Sequence, residues 1–229
     1  MPTIEQAYKA ANTYQDLCDI NVKFLEGVYD HTAYHGGPVC SETIPLLGDL
    51  RKLNALGMHT LSGQPTSSAF TEVESSDARV KLLHCHQQRA YMEGFVENKH
   101  THALKEYLDK SDTVYYSILY PDNNRDTNFP YGKEGYYPLH REARITFQGF
   151  NVTKELYDHI EDTIVWNDGL CGGAAIGDWV IDDMEDKEFL VENGVKESLL
   201  DDCAVVVLAV RDYKSPVSLE KLMIDFFTV

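Results

Sequence analysis

The chain has 229 residues and carries 37 acidic against 20 basic side chains, a formal charge of −17. Such a balance repels phosphate, and no segment gathers lysine and arginine, so nucleic acid and anionic membrane surfaces are disfavoured as partners. Apolar content of 43% with 11% aromatics fits a folded chain with a sizeable core and excludes wholesale disorder. The longest apolar run, 204–210, is far short of the roughly 20 residues of a membrane span. The opening MPTIEQAYKAANTYQD has no leader-like apolar stretch, so a cytoplasmic protein is expected. The five cysteines (18, 40, 85, 171 and 203) are scattered and form no CxxC, which reads as free thiols in a reducing compartment.

In chain order, residues 3–16 are polar and helix-permissive, and Val22, Phe24, Leu25 and Val28 form an apolar stretch broken by Gly27. HTAYHGGPVCSET (31–43) is a loop by its Gly-Gly-Pro. Thr43 is placed to cap a helix that opens on Ile44-Pro45 and continues through Leu46, Leu50, Leu53 and Leu56 at helical spacing. Gly57 stands where a left-handed terminator is expected. Met58–Leu61 reads as a short strand, 62–68 as a turn, 71–79 as a loop, and Val80 opens another strand. From Gln87 the spacing of Tyr91, Met92, Phe95 and Val96 predicts a helix. A short helix around 103–108, a strand over 113–120 and a turn-rich excursion over 121–138 follow. Residues 143–150 suit a strand, 153–166 a helix, and 169–179 is glycine-rich. Residues 182–202 hold nine acidic and two basic side chains and read as a solvated face. Ala204–Val210 has the continuous apolar character of a strand buried on both faces, and a closing amphipathic helix carries Leu219, Leu222, Met223, Phe226 and Phe227. Helices and strands interleave without a Pro/Ser/Gly linker. The expected fold is therefore a single α+β (mixed α/β) domain with a β-sheet core and peripheral helices.

Chemical motifs are sparse. His84 and His86, two apart on a strand, share a face at a spacing that suits two metal ligands, but no third ligand stands at a diagnostic offset, so no metal site is expected. CGGAAIG (171–177) lacks the spacing of a phosphate loop, and no GxSxG elbow occurs. Polar groups at element ends are more informative. Glu42-Thr43 precedes a helix, and Thr60-Leu61-Ser62-Gly63-Gln64-Pro65 leaves a strand. Together they offer hydroxyls, a carboxylate and backbone N–H groups to a ligand rich in hydrogen-bonding groups, or equally to the local cap and turn.

Several segments fall in one collinear order: Tyr34, Pro38 and Glu42-Thr43, then LRKLNALGMHTLSGQP (50–65), QQRAYMEGF (87–95), ALKEY (103–107), VYYSILY (114–120) and finally 201–227. In this the chain resembles the C-terminal regulatory domain of eukaryotic methylenetetrahydrofolate reductase, best over 20–120 and 200–227. The resemblance implies an S-adenosylmethionine (SAM) site, with homodimer formation through this kind of domain. It places Glu42, Thr43 and Thr60 at ligand-facing positions. Gly63 stands where the family has serine, with Ser62 beside it able to supply a hydroxyl, and Gln64 follows. The flavin-binding barrel of the family has no counterpart, so neither a flavin cofactor nor reductase activity is expected. The resulting expectation is a stand-alone regulatory-type module that binds SAM or a related adenosyl ligand without catalysis. The alternatives are a protein-interaction module with a degraded pocket and a hydrolase or lyase acting on a nucleoside.

Overall fold

The apolar run near the C-terminus is the centre of the molecule. In the computed structural model, which describes residues 2–73, 80–129, 140–148, 153–161, 164 and 183–229, Cys203–Val210 is a strand buried at every position. It lies in the middle of a five-stranded antiparallel sheet. Numbering elements along the chain, the strands are β1 (Met58–Gln64), β2 (Ser67–Val73), β3 (Val80–Gln88), β4 (Tyr91–Glu97), β5 (Val114–Leu119), β6 (Arg125–Thr127), β7 (His140–Gln148) and β8 (Cys203–Val210). The large sheet runs β1-β4-β8-β5-β6, and a three-stranded sheet runs β2-β3-β7. The expected α+β architecture, a sheet with helices around it, is what forms.

Strand periodicity divides the core. Val205, Val207 and Ala209 of β8 face one apolar cluster with Ile4, Tyr8, Leu17, Ile20, Phe95 and Leu190. Val206, Leu208 and Val210 face another with Leu50, Leu53, Met58, Met92, Leu104 and Met223. The helices on the first side are α1 (Ile4–Ala10), the start of α2 (Tyr14–Leu25) and α6 (Asp183–Glu192). Those on the second are α3 (Leu47–Ala55), α4 (Thr101–Leu108) and α7 (Leu219–Thr228), while α5 (Lys154–Ile160) packs its Tyr157 on the small sheet. The end of α2 (Phe24, Leu25) joins the second cluster, so this helix wraps the edge of the large sheet along β1.

Local chemistry sets the helix ends. Thr3 with Gln6, and Thr13 with Asp16, form reciprocal capping boxes that start α1 and α2. Helix α3 stops at Ala55 because Gly57 takes φ +102°, a conformation that only glycine adopts without strain.

Three expectations change. Tyr91–Val96 is a strand, not a helix. A four-residue spacing also satisfies a period of two, and here Tyr91 and Phe95 enter one cluster while Met92 and Val96 enter the other. Residues 62–68 are not one long turn, because β1 runs on to Gln64 and β2 starts at Ser67, leaving only Pro65-Thr66 between them. Residues 71–73 of the expected loop belong to β2. Since β1 pairs with β4 and β2 with β3, the four strands make one ribbon bent at Pro65-Thr66 and Arg89-Ala90. The bend is tied by Ala90 N–H donating to Thr66 Oγ1 and Gln88 Nε2 donating to the Pro65 carbonyl. The glycine-rich 169–179 segment lies outside the described residues. No helix among the described residues is long and apolar enough to cross a membrane.

Candidate functional site

At the edge of the large sheet, β1, α2 and the 31–43 loop enclose a cavity of about 240 Å³. Its wall includes Thr43, Thr60, Ser62, Gly63 and Gln64, five of the six positions singled out from sequence. The sixth, Glu42, is exposed and is not in the lining. Around those five stand Tyr8, Asn21, Phe24, Tyr34, His35, Cys40, His59 and Tyr91.

Six consecutive residues, 59–64, line the cavity. The register of β1 against β4 slips there, with Thr60 opposite Gly94 and Ser62 opposite Glu93, so Leu61 is a bulge residue. A bulge bends the strand and re-aims its side chains. Gly94 allows β1 to approach at this point: a Cβ there would lie 2.6 Å from the His59 carbonyl oxygen and 3.0 Å from Thr60 Cα.

Thr60 is fixed by a buried amide network. Its hydroxyl oxygen accepts from Asn54 Nδ2 at 2.8 Å and from Asn21 Nδ2 at 3.2 Å. Its N–H donates to Asn54 Oδ1, and its carbonyl accepts from Asn21 Nδ2 at 2.8 Å. Asn21 Nδ2 has only two hydrogens, which go to Asn54 Oδ1 at 2.9 Å and the Thr60 carbonyl at 2.8 Å, so its longer contact with the Thr60 hydroxyl is a shared one and Asn54 is the principal donor to that oxygen. Ser62 Oγ donates to the Tyr91 hydroxyl at 3.3 Å.

Thr43 does not cap a helix through its side chain. It precedes a 3₁₀ turn over Ile44–Leu46, has helical φ/ψ itself, and its Oγ1 sits 3.0 Å from Cys40 Sγ. A side chain cannot reach back to cap from that backbone conformation, which leaves Thr43 on the cavity wall.

The 31–43 loop forms the roof. It is fastened to α1 by Ala33 N–H donating to the Tyr8 hydroxyl at 3.2 Å and by His31 between Asp30 and Glu5. Those carboxylates, Asp30 foremost, raise the His31 pKa. Tyr34 packs edge-on against Phe189, and His35 stacks on Phe24.

His59 is the most unusual wall residue. It is 5% exposed, and burial pushes its pKa down to about 4 despite a favourable contact with the Leu17 backbone, so the ring is neutral at pH 7. Its Nδ1 is buried with no hydrogen-bond partner among the described residues. Among the described residues the cavity wall contains no Asp, Glu, Lys or Arg. The site is therefore an enclosure of hydroxyls, amides, imidazoles and aromatic rings without carboxylates or lysine and arginine cations among the described residues.

His84 and His86 lie far along the chain in β3, both partly exposed. Among the described residues no group of three or more His, Cys, Asp or Glu is placed to hold a metal.

Sequence reasoning missed Asn21, His59, Tyr8 and Tyr91. One signal was available: Asn54 occupies the apolar stripe of α3, four residues after Leu50, where a polar side chain needs a buried partner.

Residues 3–128 match the model of a family described as Domain of unknown function (DUF6919). This is more than half of the chain, and the chain belongs to that family. The matched region contains α1 to β6 and every described residue of the cavity wall except Leu190. No curated protein matches the chain.

Proposed function

We propose that this member of the DUF6919 family is a binding module for SAM or a related adenosyl ligand and performs no chemistry on it. The observation that carries the reading is the convergence of Thr43, Thr60, Ser62, Gly63 and Gln64 on one cavity. Of these, the resemblance to the methylenetetrahydrofolate reductase regulatory domain puts ligand contacts at Thr43, Thr60 and Gly63, with Ser62 and Gln64 beside the last, while Glu42, which it also places at the ligand, lies outside the lining; 17 residues separate Thr43 from Thr60.

The character of the wall supports the same class. A cavity of 240 Å³ is smaller than the roughly 300–1,000 Å³ typical for a wholly enclosed drug-sized ligand. Only part of an adenosyl compound enters. Burying a charge without a partner is costly, so the neutral nucleoside part goes inside and the amino-acid part stays toward solvent. The sulfonium is suited to the faces of the aromatic rings at the site, among them Tyr8, Tyr34 and Tyr91. A net charge of −17 favours a cationic ligand over an anionic one. A wall without carboxylate or lysine, and with one imidazole held neutral, suits binding better than proton transfer.

Thermal unfolding in the presence of SAM, S-adenosylhomocysteine and adenosine tests this. A ligand at 100 times its Kd should add about 2.7 kcal/mol of stability. No shift with any of the three at millimolar concentration rejects the reading. Turnover of a bound ligand rejects its non-catalytic part.

A further inference from the structure

We infer that His31 is a proton-operated clasp on the roof of the cavity: as an imidazolium it ties the 31–43 loop to α1, and on losing a proton it lets the loop go. Its two ring nitrogens face two carboxylates. Nδ1 lies 2.6 Å from Asp30 Oδ1, and Nε2 lies 3.2 Å from Glu5 Oε1. A neutral imidazole carries one N–H and one lone pair, so only the doubly protonated ring donates to both. On deprotonation one carboxylate faces a lone pair. The two carboxylates, which repel each other, also lose the cation between them. The contact then turns from attraction to repulsion.

The groups around the ring leave His31 as the one that switches. Glu5 is held down to about 2, by the Thr3 side chain foremost, and Asp30 is lowered, by His31 foremost, so both stay ionised near neutral pH. Neither has a lysine or arginine partner among the described residues. Tyr8 of α1 interacts with Glu5 and Tyr29, and burial raises its pKa, so it carries no charge. The His31 side chain is 40% exposed and exchanges protons freely with solvent. Its pKa is raised, by Asp30 foremost. The clasp is therefore closed below, and opens above, a value higher than the ordinary histidine pKa of about 6.5.

What it holds is the cavity roof. Glu5 and Tyr8 are three apart and share a face of α1. The loop docks along that face at two points, His31 on Glu5 and the Ala33 N–H on the Tyr8 hydroxyl at 3.2 Å. Farther along, Tyr34 and His35 lean on Phe189 and Phe24. At the tip, a Cβ on Gly36 or Gly37 would meet nothing within 4 Å, so the tip adds no close packing. Thr32, Tyr34, His35, Val39, Cys40 and Thr43 of this loop line the cavity. Releasing the α1 end therefore loosens the roof over whatever the cavity holds.

Pulsed hydrogen exchange of the full chain without ligand, read by mass spectrometry on peptides spanning the loop, tests this. The amides of Thr32, bonded to the His35 carbonyl, and Ala33 are the reporters, and β8 is the internal control for folding. After correction for intrinsic exchange, loop protection should fall about two- to fivefold between about pH 6 and about pH 9, a size set by the weakness of exposed ion pairs. In His31→Gln it should be low at both values, and in His31→Arg, with a permanent cation, retained at both. Protection that does not change with pH in the unmodified chain overturns the clasp. So does an equal fall in His31→Gln. An NMR titration of the His31 ring needs no variant, and a midpoint at or below about 6.5 overturns the clasp as well. None of these readouts involves a ligand, so failure of the clasp leaves the adenosyl reading standing, and the reverse holds too.

Discussion

The hydroxyl of Tyr14 accepts a hydrogen bond from the backbone N–H of His59 at 3.1 Å and donates to the carbonyl of Phe95. His59 and Phe95 are opposite each other in the β1–β4 ladder. The phenol therefore bridges the two strands at the pair next to Thr60 and Gly94, and α2 is pinned to the sheet at the site. Tyr14→Phe keeps the ring and leaves two buried backbone groups unpaired. Each such loss costs about 1–3 kcal/mol, so a total of roughly 2–6 kcal/mol is expected from urea unfolding. A change under half a kcal/mol would mean that the bridge contributes nothing.

The Asn21–Asn54–Thr60 network is expected to behave as a unit. Asn54 is fully buried; its amide donates to Leu50 O and Thr60 Oγ1, and its oxygen accepts from Asn21 and from Thr60 N–H. Asn54→Ala and Thr60→Val each strand some of the same partners. Their combined destabilisation should fall short of the sum by about 0.5–3 kcal/mol, the range for residues in one hydrogen-bond network. Strict additivity in a double-mutant cycle would contradict the network.

Gly94→Ala is the most disruptive small substitution available near the site. The added methyl would meet the His59 carbonyl oxygen at 2.6 Å and Thr60 Cα at 3.0 Å, both backbone atoms of the neighbouring strand. Neither can swing away as a side-chain tip can, so β1 must shift away from β4. A cost of about 3 kcal/mol or more is expected, at the upper end for overpacking, together with loss of ligand binding. Normal stability and binding in Gly94→Ala would show that β1 does not approach so closely.

Buried His59 gives stability a pH dependence of definite sign. Its folded-state pKa is pushed down to about 4, below the roughly 6.5 of the unfolded chain. As pH falls, the unfolded chain takes up this proton first. The contribution is therefore complete above about pH 6.5 and is lost toward pH 4, by up to roughly 3 kcal/mol. Tyr14 and Cys18 of α2 stay neutral throughout that window, because burial raises both. His31 acts in the opposite sense. Its pKa is raised, so its contribution is present at low pH and fades as pH rises through the raised value, and its exposure keeps that contribution small. The loss of thermal stability between pH 6.5 and 4 should accordingly be shallower in His59→Leu than in the unmodified chain. Identical slopes would show that the ring is not buried in neutral form.

Local signals made much of the fold legible in the sequence. β8 is an unbroken apolar run, α3 ends at a glycine with positive φ, and α7 shows helical spacing of its apolar residues. β4 was not legible as a strand because Tyr91/Phe95 and Met92/Val96 fit both periods, and only burial on two faces of a sheet decides between them. At the site, Thr43, Thr60 and Gly63 were legible through short collinear motifs. Asn21 and His59 were not, since their places on the wall arise from α2 crossing the sheet edge and from the bulge at Leu61, neither of which has a local signature.

Gly63 offers the most direct test of the resemblance itself. It lines the cavity, at the position where the proposed resemblance puts a serine. A Cβ built there meets Leu50 Cδ2 at 3.8 Å and the Tyr91 carbonyl oxygen at 4.0 Å, both ordinary contacts, and the backbone is not in the left-handed region. Serine is therefore accommodated without strain, and its hydroxyl is added to the wall beside Ser62. If the adenosyl reading holds, Gly63→Ser restores one neutral hydrogen bond to the ligand. Such a bond contributes about 0.5–1.5 kcal/mol, roughly two- to tenfold in affinity. Calorimetry with SAM should show tighter binding at unchanged stability of the free protein. Binding that weakens in Gly63→Ser would mean that the ligand approaches Gly63 too closely for a side chain, and that the register of the resemblance over 58–65 does not carry over to the site.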